Sequence, residues 1–378
     1  MNLQQPYDVA IIGGGLAGLG TAIQLVRNGH SVVLFEKERY PFHKVCGEYI
    51  SMECWSFLES LGIPLKELNL PVINQLLLTA PNGNSFTTKL PLGGFGISRY
   101  KLDHMLVSIA KKEGVVVGEE TKVEDLVKED NYVIKTSKGI ANAKLVCGSF
   151  GKRSNLDVKW RRGFIQQKPS AINNYIGIKY HLKTDWKNNR IGLHNFKNGY
   201  CGISKIEEEK FCFCYLTTAD NLKACNNSIN ELEHKILSHN PHLKAILTNS
   251  EKDETFPVTI SQITFDKKTQ TENDVLLLGD AAGMITPLCG NGMSMALHSS
   301  KIAASLINQY LTNDISITQL INGYQHQWQK QFAKRLHTGR LLQRFFGTEA
   351  ISNLFVSTFK TFPFLAKPII KQTHGKPF

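Results

Sequence analysis

The chain has 378 residues, enough for two domains or for one large α/β unit with a subdomain. Hydrophobic residues make up 42% of it, and no run of eighteen apolar residues occurs, so a membrane-spanning helix is excluded. The formal net charge is +12, but no nucleic-acid recognition motif accompanies it, so no nucleic-acid partner is expected.

Met1–Tyr7 is polar and lacks the basic region and apolar core of a secretory signal, so a cytoplasmic setting is expected. Eight scattered cysteines, with no C-x-x-C pair, fit a reducing compartment. Val9–Ile12 is a short apolar run, as for a strand buried on both faces. Gly13-x-Gly15-x-x-Gly18 follows at once, and Leu19, Ile23 and Val26 then recur at helical spacing up to Gly29. Ser31–Phe35 reads as the next strand, with Glu36 at its end. Gly13 permits the tight turn, Gly15 lets the backbone approach a pyrophosphate, and Gly18 lets helix and strand pack closely. The helix start, with Leu16 and Ala17, faces the phosphates, and Glu36 can accept both hydrogen bonds of an adenosine ribose. An ordinary Gly-rich turn would leave Glu36 unexplained.

After the basic loop Lys37–Lys44 comes Val45-Cys46-Gly47-Glu48-Tyr49-Ile50-Ser51. His43 and Lys44 would lower the pKa of Cys46 if their charges point at it. Glu48 is either a proton donor or an acid at a helix N-terminus opposite Lys44. Further along, Ile97–Leu106 precedes a helical stretch with Arg99 at its start. From about 170 to 262 apolar and polar residues alternate, as in Tyr175–Tyr180 and Phe211–Leu216, which predicts an antiparallel sheet. Cys212 and Cys214 would point the same way from such a strand, as core filling. Pro241 breaks any helix that would align His239 with His242, so a polar turn is expected there and no metal site.

Residues 274–295 give a buried strand, Val275–Leu278, then Gly279-Asp280 at its C-terminal end. Pro287 and Gly290-Asn291-Gly292 lead into an apolar helix from Met293 to Leu311. From Lys301 onward there are ten Lys or Arg against two acids, so the tail holds eight of the twelve net positive charges. Two readings stand: a basic face that contacts an anionic membrane peripherally, or helices packed on the protein's own surface.

These motifs, in this order, resemble the superfamily of FAD-dependent aromatic hydroxylases (p-hydroxybenzoate hydroxylase-like) and geranylgeranyl reductases, over about residues 5 to 310. The resemblance implies an α/β fold with a discontinuous Rossmann-like FAD-binding domain (1–70, 96–168 and 263–315). It implies an antiparallel β-sheet substrate domain (71–95 and 169–262) and leaves a C-terminal helical region (316–378). In that family the aspartate matching Asp280 holds the ribityl chain, and the turn matching Gly290 to Met293 approaches the ring. Arg99, in an Arg-x-x-Leu-Asp-x-x-Leu-like element, would contact flavin or pyrophosphate. Lys37, Lys44, Cys46, Gly47, Val123 and Gly279 complete the implied cofactor-binding set, with Cys46 and Glu48 as catalytic candidates. Cys46-Gly47 matches the start of the reductases' Cys-Gly-Gly-Gly.

The pattern also departs from the family. Phe150 stands where the hydroxylases usually carry an aspartate. Gly199–Ser204 keeps only the Tyr of the reductases' Tyr-x-Trp-x-Phe-Pro, and the halogenases' Trp-x-Trp-x-Ile-Pro is absent. A single G-x-G-x-x-G leaves a transiently bound NAD(P)H, or another carrier, to bring electrons. The expected chemistry is reduction of a carbon–carbon double bond in a hydrophobic small molecule. The alternatives are monooxygenation of an aromatic or polyketide and a membrane-docking flavin electron carrier.

Overall fold

A computed structural model describes residues 6–166, 174–253, 257–287, 290–343 and 348–378. Two sheets carry the architecture. The first holds β1 (Tyr7–Ile12), β2 (Val32–Phe35), β6 (Val116–Gly118), β7 (Val123–Lys128), β8 (Tyr132–Thr136), β9 (Gly139–Gly148), β16 (Thr271–Glu272) and β17 (Val275–Leu277). Its central order is β16-β17-β9-β1-β2-β6. β1 lies parallel to both neighbours, with Val9 opposite Val32 and Leu145. The helix Leu16–Arg27 is the crossover that makes β1 and β2 parallel. Both faces are covered, which is why β2 is an unbroken apolar run, buried at every position.

The second sheet holds β3 (Tyr49–Ser51), β4 (Val72–Thr79), β5 (Ser85–Gly96), β10 (Tyr175–Lys183), β11 (Arg190–Phe196), β12 (Gly199–Lys205), β13 (Phe211–Thr218), β14 (Glu251–Lys252) and β15 (Val258–Ile263). Its order is β14-β10-β13-β12-β11-β4-β5-β3, with β15 beside β10. The expected alternating strands form, and Ile176 and Ile178 sit opposite Thr217 and Tyr215. Two features differ from the expectation. The sheet is not wholly antiparallel, because β4 pairs with β11 in parallel. Residues 49–51, expected within the FAD-binding domain, add an edge strand to the second sheet through Ile50 and Phe95. Three residues are too few to show a period, so only the pairing partner reveals that strand.

Pro241 opens a helix instead of preventing one. Asn240 caps the helix Pro241–Asn249 by accepting from the His242 N–H, and Pro at the first helical position loses no hydrogen bond. The tail forms the helices Ile317–Gln343, Glu349–Thr361 and Ala366–Thr373. Trp328, Phe332 and Leu336 join the core of the first sheet. Val356, Phe359, Ala366 and Ile370 pack with Leu78, Phe86 and Leu90 of the second. One face of the tail therefore packs on the protein's own surface. Arg344, Phe345 and Phe346, counted in the basic tail, lie outside the described residues.

Candidate active site

The turn after β1 is built for close approach. Gly13 has φ +104°, a conformation that side chains strain. A Cβ on Gly18 would run into the Gly13 carbonyl and the Ser149 hydroxyl. Gly15 is the N-cap of Leu16–Arg27, with no side-chain cap and no acid in the first turn. That helix start keeps its unpaired N–H groups for an anion. Glu36, at the end of β2, is buried, and its two carboxylate oxygens accept from the N–H groups of Gly14 (2.9 Å) and Glu38 (3.1 Å). The Tyr40 hydroxyl donates to the Gly14 carbonyl and holds the loop from above.

Arg99 opens the helix Arg99–Lys112 and reaches this turn. Its Nη2 lies 4.0 Å from the position a Cβ would take on Gly15. Asp103, one turn further along, accepts from Arg99 Nε and Nη2, both at 2.8 Å, and from Lys44 Nζ at 2.9 Å. Burial alone would raise the Asp103 pKa, but Arg99 and Lys44 outweigh it and hold the carboxyl below its usual range. Lys37 instead points outward to Glu38, 3.6 Å away. Val123 is buried at the start of β7, and its carbonyl accepts from Asn155.

The second half of the site comes from the end of β17. A Cβ on Gly279 would lie 3.3 Å from Ala17 Cβ and 3.4 Å from Ala296 Cβ, so its backbone packs close to both helices. Asp280 follows, half-buried, its pKa raised by burial against the opposing pull of Lys268 and Arg99. Lys268, itself pushed down to about 8 by burial, donates to the backbone carbonyls of Asp280 and Lys152. Gly279, Asp280, Gly292 and Ala296 line a narrow cleft. Gly292 begins the helix Gly292–Leu311, again with no side-chain cap. Asn291, fully buried, donates to the Thr373 carbonyl, and its Oδ1 has no partner among the described residues. Phe150 packs near Trp160 with ring centroids 6.2 Å apart, an apolar wall in place of the expected acid.

The loop at residues 43–48 behaves differently from the sequence expectation. Lys44 is engaged by Asp103, and His43 stacks on Tyr100, so neither charge is directed at Cys46. Burial pushes the Cys46 thiol up, with Arg99 only partly opposing it. A thiol contacting Met293 Sδ at 3.6 Å, not a thiolate, sits here. A Cβ on Gly47 would meet nothing within 4 Å, so the loop opens on free space there.

Glu48 is fully buried at φ +54°. Its Oε1 accepts from Lys179 Nζ and from the Arg99 N–H, both at 2.9 Å, and its Oε2 bonds His181 Nε2 at 2.7 Å. Burial opposes ionisation, but His181 and Lys179 win, and the pKa is lowered. The proton-donor role therefore does not fit, because this acid is held as a carboxylate. It does sit at a helix N-terminus, opposite Lys179 and not Lys44. Cys212 faces the same cluster, its thiol reaching the Cys46 carbonyl at 3.2 Å. Glu48, His181 and Cys212 offer ligand atoms within 4.8 Å of one another, but the Lys179 ammonium already serves that carboxylate.

Sequence reasoning missed Lys179, His181, Tyr49 and Asn291. The signal for the first two was available: two cationic residues at i and i+2 of an apolar strand share a face and need a buried partner. Tyr49 and Asn291 carried no such mark. The Tyr49 ring lies about 3 Å from where a Cβ on Gly290 would be, and Gly290 has φ +61°. The Tyr49 hydroxyl is buried without a partner among the described residues. Tyr49 borders an apolar pocket with about 750 Å³ of unfilled space, part of it open to solvent. Leu78, Phe86, Phe359, Ile370 and Gly290 supply other parts of the wall.

A model of the FAD binding domain matches residues 6–336. The chain belongs to this FAD-binding family. The flavoprotein is 26% identical over 360 residues to conditioned medium factor receptor 1 of Dictyostelium discoideum, covering 86% of this chain and 68% of that one. It is 23% identical over 374 residues to digeranylgeranylglycerophospholipid reductase of Methanococcus vannielii, covering 88% and 85%. Its fold is shared with the flavin-dependent brominase Bmp2 at a TM-score of 0.79 and 18% identity, covering 98% and 93%. The residues present fit FAD: two uncapped helix starts, the glycine cradle, the oriented Glu36 carboxylate, Arg99 and the unsatisfied Asn291 oxygen. The flavoprotein is an FAD-dependent oxidoreductase. No described helix is long and apolar enough to cross a membrane.

Proposed function

We propose that the flavoprotein reduces a carbon–carbon double bond in an apolar, isoprenoid-like molecule that carries one hydrogen-bond acceptor near its reacting end. The supporting observation is the apolar pocket beside Gly290, walled in part by Tyr49, whose buried hydroxyl has no partner among the described residues. Likeness to the archaeal lipid reductase supports the same reading. Reduced FAD, when bound, supplies two electrons and a hydrogen as a hydride equivalent. Leu78, Phe86, Phe359 and Ile370 exclude water and hold the apolar chain. Burial first, then Glu53 and Cys54, raises the Tyr49 pKa, so this hydroxyl keeps its proton and donates a hydrogen bond to the substrate's polar end. Reduction of the double bond would place the hydride equivalent that bound FAD supplies on one carbon and one proton, taken from solvent at the open side of the pocket, on its neighbour. Cys46, Gly47 and Met293 stand outside the lining of this pocket, and the Cys46 thiol, its pKa raised by burial, carries no charge to the reaction.

Hydroxylation draws less support, since Phe150 replaces the acid usual in the hydroxylases. The test is anaerobic turnover of the FAD-loaded protein with dithionite and geranylgeraniol. The expected product has gained two hydrogens. Tyr49→Phe is expected to raise KM about tenfold, since one hydrogen bond is lost, with thermal stability unchanged. A product that gains oxygen, and only in air, overturns the reading in favour of a hydroxylase. Flavin reoxidation without substrate consumption overturns it in favour of an electron carrier.

A further inference from the structure

We propose that the C-terminal helices dock on an anionic phospholipid bilayer, with the turn at residues 360–365 as the leading edge. Large exposed apolar side chains are concentrated here: Leu341, Ile351, Leu354, Phe362, Phe364 and Leu365, with Leu354 at 69% and Phe364 at 67% exposure. Residues 360–365, Lys-Thr-Phe-Pro-Phe-Leu, are exposed without a break. Phe362 and Phe364 stand edge to face, their ring centroids 6.2 Å apart. Rings held against each other in water make a single apolar prow instead of two scattered contacts.

Charge decides the occupant. Lys360, Lys367 and Lys371 are exposed around the prow, and Glu349 is the only acid from 316 to the end of the chain. Phenylalanines ringed by lysines match the acyl boundary and the phosphates of an anionic leaflet. A second copy of the chain would bring an equally cationic face to the contact. Nucleic acid would satisfy the lysines and leave the rings in water.

The same helices have a second face. Phe355, Phe359, Ala366, Ile369 and Ile370 line the apolar pocket from inside. Docking would therefore set the pocket's wall against the bilayer, the phase in which an apolar substrate is dissolved. The docking itself does not depend on the reaction proposed above, and its test uses no substrate.

Full-length, FAD-loaded protein is sedimented with vesicles of equal phosphatidylglycerol and phosphatidylcholine, and with phosphatidylcholine alone, at low salt. Binding to the anionic vesicles is expected to be at least about tenfold tighter. Phe362→Ser with Phe364→Ser is expected to weaken it about tenfold or more. Lys360→Gln, Lys367→Gln and Lys371→Gln together are expected to abolish the anionic preference. These side chains are exposed, so flavin absorbance and thermal midpoint serve as controls that each variant remains folded. The proposal is overturned if the wild type fails to sediment with anionic vesicles, or if both variants bind like it. It is also overturned if the protein dimerises in solution and the Phe variant alone abolishes the dimer, since the face then belongs to a second copy.

Discussion

Two buried carboxylates, Asp103 and Glu48, each hold two basic partners within the same site. Asp103 anchors Arg99 and Lys44, and Glu48 anchors Lys179 and His181. Their surroundings differ. Lys44 keeps 23% of its side chain exposed, whereas Lys179 and Glu48 have none. Asp103 orients the Arg99 cation toward the glycine turn. Glu48 ties the Cys46–Gly47 loop to β10 and to the start of the helix Arg99–Lys112. The first cluster faces the glycine turn, and the second fixes the loop before β3 against β10 of the same sheet. A buried ion pair contributes little net stability against an apolar replacement, but breaking one partner strands the other in a low-dielectric interior.

The largest effect is expected at Glu48. Glu48→Leu should cost about 3–5 kcal/mol in urea unfolding, because the buried Lys179 ammonium loses its carboxylate partner. Adding Lys179→Met should recover most of that loss. If the double variant is as unstable as the single one, Glu48 acts through its bond to the Arg99 N–H and not through Lys179. Asp103→Asn should be milder, at roughly 2–3 kcal/mol, since Lys44 can turn to water. Its signature lies elsewhere: FAD affinity, measured by fluorescence titration, should fall about tenfold as Arg99 loses its bidentate anchor. Weakened FAD binding in the Glu48→Leu, Lys179→Met pair, with unchanged binding in Asp103→Asn, would reverse the division of labour.

The smallest effect is shared by both clusters. Each folded pKa lies below the unfolded reference, 3.8 for Asp103 and 4.5 for Glu48. Their stabilisation is therefore complete above those values and is lost as pH falls through the lower folded ones. The urea midpoint should stay level from neutrality down to about pH 5 and drop below it. The drop should be shallower in Asp103→Asn and in the Glu48→Leu, Lys179→Met pair. A decline that begins near pH 6 would implicate a histidine instead.

Much of the cofactor side was legible because its chemistry is local. Gly13, Gly15, Gly18 and Glu36 fall within one βα turn and the strand after it, so spacing along the chain reproduces spacing in the fold. Arg99 and Asp103 are four residues apart on one helix, and their contact follows from helical geometry. At Cys46 the sequence left the outcome conditional on where two neighbouring charges point. His43 and Lys44 are neighbours in sequence, but one stacks on Tyr100 and the other turns to Asp103, so proximity along the loop said nothing about the field at the thiol.

The sequence by itself determined the FAD-binding turn, the two long uncapped helix starts and the basic, apolar tail, because each rests on residues within one or two turns of chain. Only the tertiary structure decided what Glu48 does, since its partners lie 131 and 133 residues away on β10. It likewise decided that Tyr49 stands beside Gly290 with its hydroxyl unpaired, and that one face of the tail lines the pocket while the other meets solvent. Pairing across sheets is set by packing of whole layers, and no local propensity or spacing encodes which distant strand will supply the opposing charge.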